Sequence, residues 1–186
     1  MIEKLDDLYG RATNKALRLR AYRPAIVATA TPIVSFTFDD VPDTALTAGA
    51  RILEAHGVRG SFYIAGGLAG RVEPGRTLID LDGCRELAAR GHEIGCHTYA
   101  HDAVRRLGPS ALAADLDRNA AYLGDRGRAG AAQLRVPLQC GLDPGASRTR
   151  PAIPHLPRGG DRINRGPTDL NFLNAVEIRQ PEESSR

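Results

Sequence analysis

Between Pro32 and Leu123 short apolar runs alternate with stretches in which apolar residues recur every three or four positions. Ile33-Val34-Ser35-Phe36-Thr37-Phe38 is β-branched and aromatic, which predicts a buried strand that delivers Asp39 and Asp40 to its carboxyl end. Leu46, Ala50 and Leu53 then fall on one helical face, and Gly57 after His56 supplies the stop. Ser61-Phe62-Tyr63-Ile64 predicts a second strand, Leu81 to Arg90 a second helix ended by Gly91, and Glu93-Ile94-Gly95-Cys96 a third strand that runs into His97. Pro109-Ser110 opens another helix, with Ser110 as N-cap and Leu112, Leu116, Ala120 and Leu123 facing the core. Three alternations of strand and helix predict an α/β fold with parallel strands.

The flanks read differently. Leu5, Leu8, Ala12, Ala16 and Leu17 have helical spacing, so residues 1–30 are expected to form an amphipathic extension and residues 31–186 the domain. After Leu123 the pattern breaks down: six of the twelve prolines lie between Gln133 and Pro167, no aromatic occurs between Leu123 and Asn171, and arginine appears without lysine. This marks 125–162 as atypical for the inside of a compact domain. Ordinary patterning resumes at Asp169–Val176, read as a helix, before a polar tail from Gln180 to Arg186.

Composition narrows the class. With 186 residues, 42% apolar and 25% charged, the chain can bury one sizeable core. A net charge of +3 from 25 basic and 22 acidic residues gives no basic block, so no nucleic-acid partner is expected. Cys84, Cys96 and Cys140 are odd in number and lack Cys-x-x-Cys spacing, which speaks against a disulfide framework or a thiolate zinc knuckle. The first residues carry Glu3, Asp6 and Asp7 where a signal peptide has bases, and no run reaches membrane length, so a cytoplasmic protein with no membrane span is expected. Nothing in the composition fixes an oligomeric state.

The chemistry-bearing residues cluster at the ends of the first and third strands. One carboxylate and two imidazoles give a divalent cation three donors and leave positions for water and a substrate oxygen. A second carboxylate held off the metal can act as general base. Asp39 and Asp40 supply the carboxylates, and His97 and His101, four apart, meet at one ion if the backbone after Cys96 curls into a helical turn. Thr98 is placed to steady an imidazole or a loop by hydrogen bond. His56 and His92, beside glycines at element boundaries, are read as structural, and His155 has no partner in pattern.

Taken together, Ser35–Asp40, Gly57–Tyr63 and Gly91–His101 resemble the polysaccharide deacetylase family with the NodB-homology domain, densely over about residues 30 to 125. The resemblance implies a distorted, incomplete (β/α) barrel and a metal-dependent hydrolase of N- or O-acetyl groups on carbohydrate, chitooligosaccharide among the substrates. It implies Asp39 as general base and Asp40, His97 and His101 as ligands of a divalent ion, Zn²⁺ with Co²⁺ as the alternative. The family's next motif falls on Leu134-Arg135-Val136-Pro137-Leu138, so Arg135 and Pro137 are expected to line the groove in its Arg-x-Pro form. A second reading stays open for this stretch: displacing the frame of Gln133–Gln139 by one base gives an aromatic-rich segment like that of one family branch, with 125–162 then frame-shifted. The later strand that carries the family's acid histidine has no match after Val176, so the barrel is expected to lack its last strands. Two alternatives follow: a catalytically impaired member that binds metal or glycan without turnover, and an Arg-rich interaction module acting through residues 126–165.

Overall fold

The computed structural model describes residues 24–104, 107–124, 163–169 and 173–178. In chain order these form strand β1 (Pro24–Val27), strand β2 (Thr37–Asp39), a π-helical turn (Ala45–Gly49) running into helix α1 (Ala50–Ala55), and strand β3 (Ser61–Ile64). A short hairpin of β4 (Val72–Glu73) and β5 (Arg76–Thr77) follows, then helix α2 (Leu81–Ala89), strand β6 (Glu93–Cys96), helix α3 (Pro109–Gly124) and strand β7 (Gly166–Asp169).

At the centre β2, β3 and β6 form a parallel sheet in that order, with Phe38 opposite Phe62 and Phe62 opposite Ile94. Parallel neighbours need crossovers, which α1 and α2 supply. Phe62, Tyr63 and Ile64 are all buried, as a central strand covered on both faces requires. Phe62 is fully buried and stacks on Phe38 with ring centroids 4.6 Å apart. Leu87 from α2 and Leu112 and Leu123 from α3 complete the same core. The fold is therefore mixed α/β, with the site-bearing residues at the carboxyl ends of β2 and β6.

The amino ends of the strands are fastened by ions. Glu54 on α1 pairs with Arg90 at the end of α2 through both carboxylate oxygens, at 2.8 and 3.0 Å. His92 Nε2 lies 2.9 Å from Glu54 Oε1, and Gly60 N donates to His92 Nδ1 at 3.1 Å. Gly60's donation leaves Nδ1 as acceptor and puts the ring hydrogen on Nε2, aimed at Glu54. His92 is thus structural, as the sequence suggests, while His56 is exposed beyond the end of α1.

Several expectations need correction. The first central strand is shorter than its apolar run: Ile33 and Val34 are 74% and 70% exposed, and laddering begins only at Thr37, because no described strand lies outside β2 to cover them. Ser110 is not the cap of α3, since Pro109 already occupies the first turn, where its missing N–H costs nothing. Leu112 and Leu123 are buried and Leu116 packs against the core as expected, but Ala120 is exposed and the buried stripe also takes in two polar residues, Asp115 and Asn119. Asp169 closes β7 rather than opening a helix: β7 pairs antiparallel with β1, placing Pro24 opposite Asp169, and residues 173–178 form no helix. β1 thus falls within the stretch read as N-terminal extension. The helix expected from Leu5 to Leu17 and the whole of 125–162, with Arg135, Pro137 and His155, lie outside the described residues. No helix among the described residues is long and apolar enough to cross a membrane.

Candidate metal centre

A strand's pleat sends successive side chains to opposite faces, so Asp39 and Asp40 can share a site only where the pleat stops. It stops at Asp39: Asp40 and Val41 adopt φ of 59° and 48°. A β-branched residue at positive φ is strained, by about 1–3 kcal/mol. Val41 is held there by complete burial and by Ile79 N, which donates to its carbonyl at 3.0 Å.

The histidine side is built the same way. His97 N extends the ladder to Ile64 O at 2.8 Å, and the chain then turns through Thr98 at φ 65° and His101 at φ 59°. Residues 97–101 are not helical, so the curl is made by two left-handed residues in place of the expected helical turn. Asp40, Val41, Thr98 and His101 are the non-glycine residues with positive φ among those described, and all four belong to this site.

These turns bring three donors together. One ligand atom each from Asp40, His97 and His101 lies within 4.8 Å of the others. Asp40 Oδ1 is 3.0 Å from His101 Nε2 and 3.5 Å from His97 Nε2, and the two rings sit 5.0 Å apart at 60°. Despite these short distances Asp40 Oδ1 is buried and receives no well-directed hydrogen bond. A buried carboxylate oxygen converging with two imidazole nitrogens is a donor set a divalent cation could use.

Electrostatics binds the three before any ion is considered. Burial opposes charge on Asp40, but the adjacent His101 and then His97 outweigh it and hold its carboxyl below the ordinary range. Reciprocally, Asp40 raises the His101 imidazole above its usual value against the opposing effect of burial, with Asp39 adding to the rise. Asp39 is therefore within electrostatic reach of His101 and half-buried at the end of β2.

Thr98 does not make the hydrogen bond expected of it: its hydroxyl is buried and meets no partner among the described residues. The loop is steadied instead by residues the sequence reading missed. Asp115 accepts from Tyr99 N at 2.7 Å and Ala100 N at 2.9 Å. Asn119, fully buried, accepts from Gly66 N at 2.8 Å and donates to Ile64 O and Cys96 Sγ, each at 2.9 Å. The available signal was the pair of polar residues one turn apart in register with Leu112 and Leu123.

The family model for polysaccharide deacetylase matches residues 27–138. The chain belongs to the polysaccharide deacetylase family. A chitin deacetylase of Colletotrichum lindemuthianum is 33% identical over 84 residues, 45% of this chain and 33% of that protein. The chain thus spans about a third of the length of this curated relative. Among solved structures, IcaB from Ammonifex degensii superposes with a TM-score of 0.66 at 20% identity, covering 94% of this chain and 85% of its own. The Streptococcus pyogenes deacetylase PplD, solved in complex with acetate, gives 0.62 at 17% identity, with 91% and 70% covered. At such identities these two likenesses concern the fold, and both extend well beyond the three central strands.

Proposed function

We propose that this polysaccharide deacetylase family member is a metal-dependent hydrolase that removes acetyl groups from an N- or O-acetylated carbohydrate. The observation that carries the proposal is the convergence of Asp40, His97 and His101, whose ligand atoms lie within 4.8 Å of one another, with Asp39 adjacent in the chain. One carboxylate and two imidazoles fit Zn²⁺, with Co²⁺ as the alternative, and leave coordination positions open. When bound there, such an ion supplies Lewis acidity toward an acyl oxygen and acidifies a water molecule.

The protein's own residues divide the remaining work. Asp40 holds its charge at neutral pH because the imidazoles favour the carboxylate, so it serves as anionic ligand. His97, buried, and His101, half-buried, present Nε2 toward it. Asp39 acts as general base: its carboxylate takes a proton from the attacking water, whose oxygen bonds to the acetyl carbon, the C–N or C–O bond to the sugar then breaks, acetate departs, and that proton passes to the freed amine or alcohol. The three-stranded parallel sheet is read as part of an incomplete, distorted (β/α) barrel, a reading supported by the gathering of site residues at carboxyl strand ends.

The roles separate in a paired experiment on purified protein. Asp39→Asn should keep its divalent metal and release no acetate from an N-acetylated chitooligosaccharide, whereas His97→Ala should lose metal and activity together. Equal metal content in the two variants refutes the assignment of roles.

A further inference from the structure

We propose that Asp115, on α3, is a positioning residue that sets the spacing of the two histidine ligands by clamping the backbone between them. The proposal rests on the metal-site reading above and adds a residue to it. From His97 to His101 the chain passes through two left-handed residues, Thr98 and His101 itself, a conformation that the Cβ of an L residue disfavours. Something outside the loop must hold it. The Asp115 carboxylate does so by accepting both intervening amide hydrogens, Tyr99 N and Ala100 N, from a buried position on a sixteen-residue helix. Backbone N–H groups donating to a carboxylate make charge-assisted hydrogen bonds, stronger than neutral ones.

Two further contacts hold the same loop from other directions. Gly67 N donates to Tyr99 O at 2.9 Å, and the Arg118 guanidinium sits 4.1 Å over the Tyr99 ring. Neither supplies an acceptor for the two amides. With Asp115 altered, Tyr99 N and Ala100 N lose their partner, the turns relax, and His101, which follows Ala100 directly, leaves its place beside Asp40.

The test measures Zn²⁺ affinity of the full chain by competition with a chromophoric chelator, together with hydrogen exchange at the Tyr99 and Ala100 amides. Asp115→Asn conserves volume but turns one acceptor oxygen into a donor. It should lower Zn²⁺ affinity by about 10- to 100-fold, the range typical for residues that orient ligands, and speed exchange at both amides. Asp115→Glu, which keeps both oxygens, should recover part of the affinity. Leu123→Ala, a core truncation on the same helix, should lower stability and leave Zn²⁺ affinity unchanged.

Wild-type affinity in Asp115→Asn, or equal affinity losses in Asp115→Asn and Leu123→Ala, overturns the positioning role while leaving the metal reading intact. Failure of the unaltered chain to bind Zn²⁺ or Co²⁺ removes the metal reading itself. Should Asp115→Asn not fold, unprotected Tyr99 and Ala100 amides in the native protein overturn the clamp on their own.

Discussion

Gly67 is the exposed residue of a 3-10 turn, a place where replacement by alanine ordinarily stabilises a protein by about 0.4–1 kcal/mol through the unfolded chain. Here the opposite sign is expected. A Cβ on Gly67 falls 2.7 Å from Tyr99 O and 3.1 Å from Tyr99 Cε1. The carbonyl is backbone, cannot rotate aside, and also accepts the Gly67 N–H. Reaching even a 3.0 Å separation requires the two segments to part by ~0.3 Å (3.0 minus 2.7), against the pull of that hydrogen bond. Overpacking of this kind costs about 1–3 kcal/mol, which outweighs the entropic gain and leaves a net loss of about 1–2 kcal/mol. At about 2–4 °C per kcal/mol for a chain of this size, Gly67→Ala should lower Tm by roughly 2–8 °C in a thermal scan followed by circular dichroism. Because Tyr99 lies between His97 and His101, the proposed ligands, Zn²⁺ affinity should fall as well. Gly124→Ala is the comparator: its Cβ meets nothing within 4 Å, so it should be neutral or slightly stabilising. A Gly67→Ala protein as stable as Gly124→Ala, with unaltered Zn²⁺ affinity, would refute the steric reasoning.

Other outcomes follow from the same coordinates. Arg90 and then His92 hold the Glu54 carboxyl down at about 2 from an ordinary 4.5, so its stabilising effect is complete above the unfolded value and is lost as pH falls from about 4.5 toward 2. Glu54→Gln should therefore flatten the pH dependence of urea midpoints across that window; an unchanged slope rules out this pair as a contributor. Asn119→Asp sets a carboxylate oxygen against Ile64 O in a fully buried position, and it should cost at least about 2 kcal/mol at neutral pH and less in acid. Denaturant titrations at two pH values check both the size and the direction.

The central sheet was legible because β3 and β6 are largely buried, and apolar runs bounded by glycine announce such strands at Ser61–Ile64 and Glu93–Cys96. The same rule overextended β2, since an apolar run shows what a residue prefers and not whether a neighbour exists to cover Ile33 and Val34. Asp40, His97 and His101 were visible as types and spacings, and the structure brings them together. What spacing could not reveal was the left-handed backbone at Asp40, Val41, Thr98 and His101, for none of them is glycine or asparagine, the usual markers of that conformation. Asp115 and Asn119 were missed for a related reason. A polar side chain on a helix reads as solvated until the backbone groups it satisfies, here on two other elements, are known.

The Glu54–Arg90–His92 cluster sits at the opposite end of the sheet from Asp39, Asp40, His97 and His101. The Val72–Thr77 hairpin pairs only within itself among the described strands, so changes there leave that anchorage untouched. With its rivets set away from the rim, the scaffold keeps the stability of one pole separate from the geometry of the other.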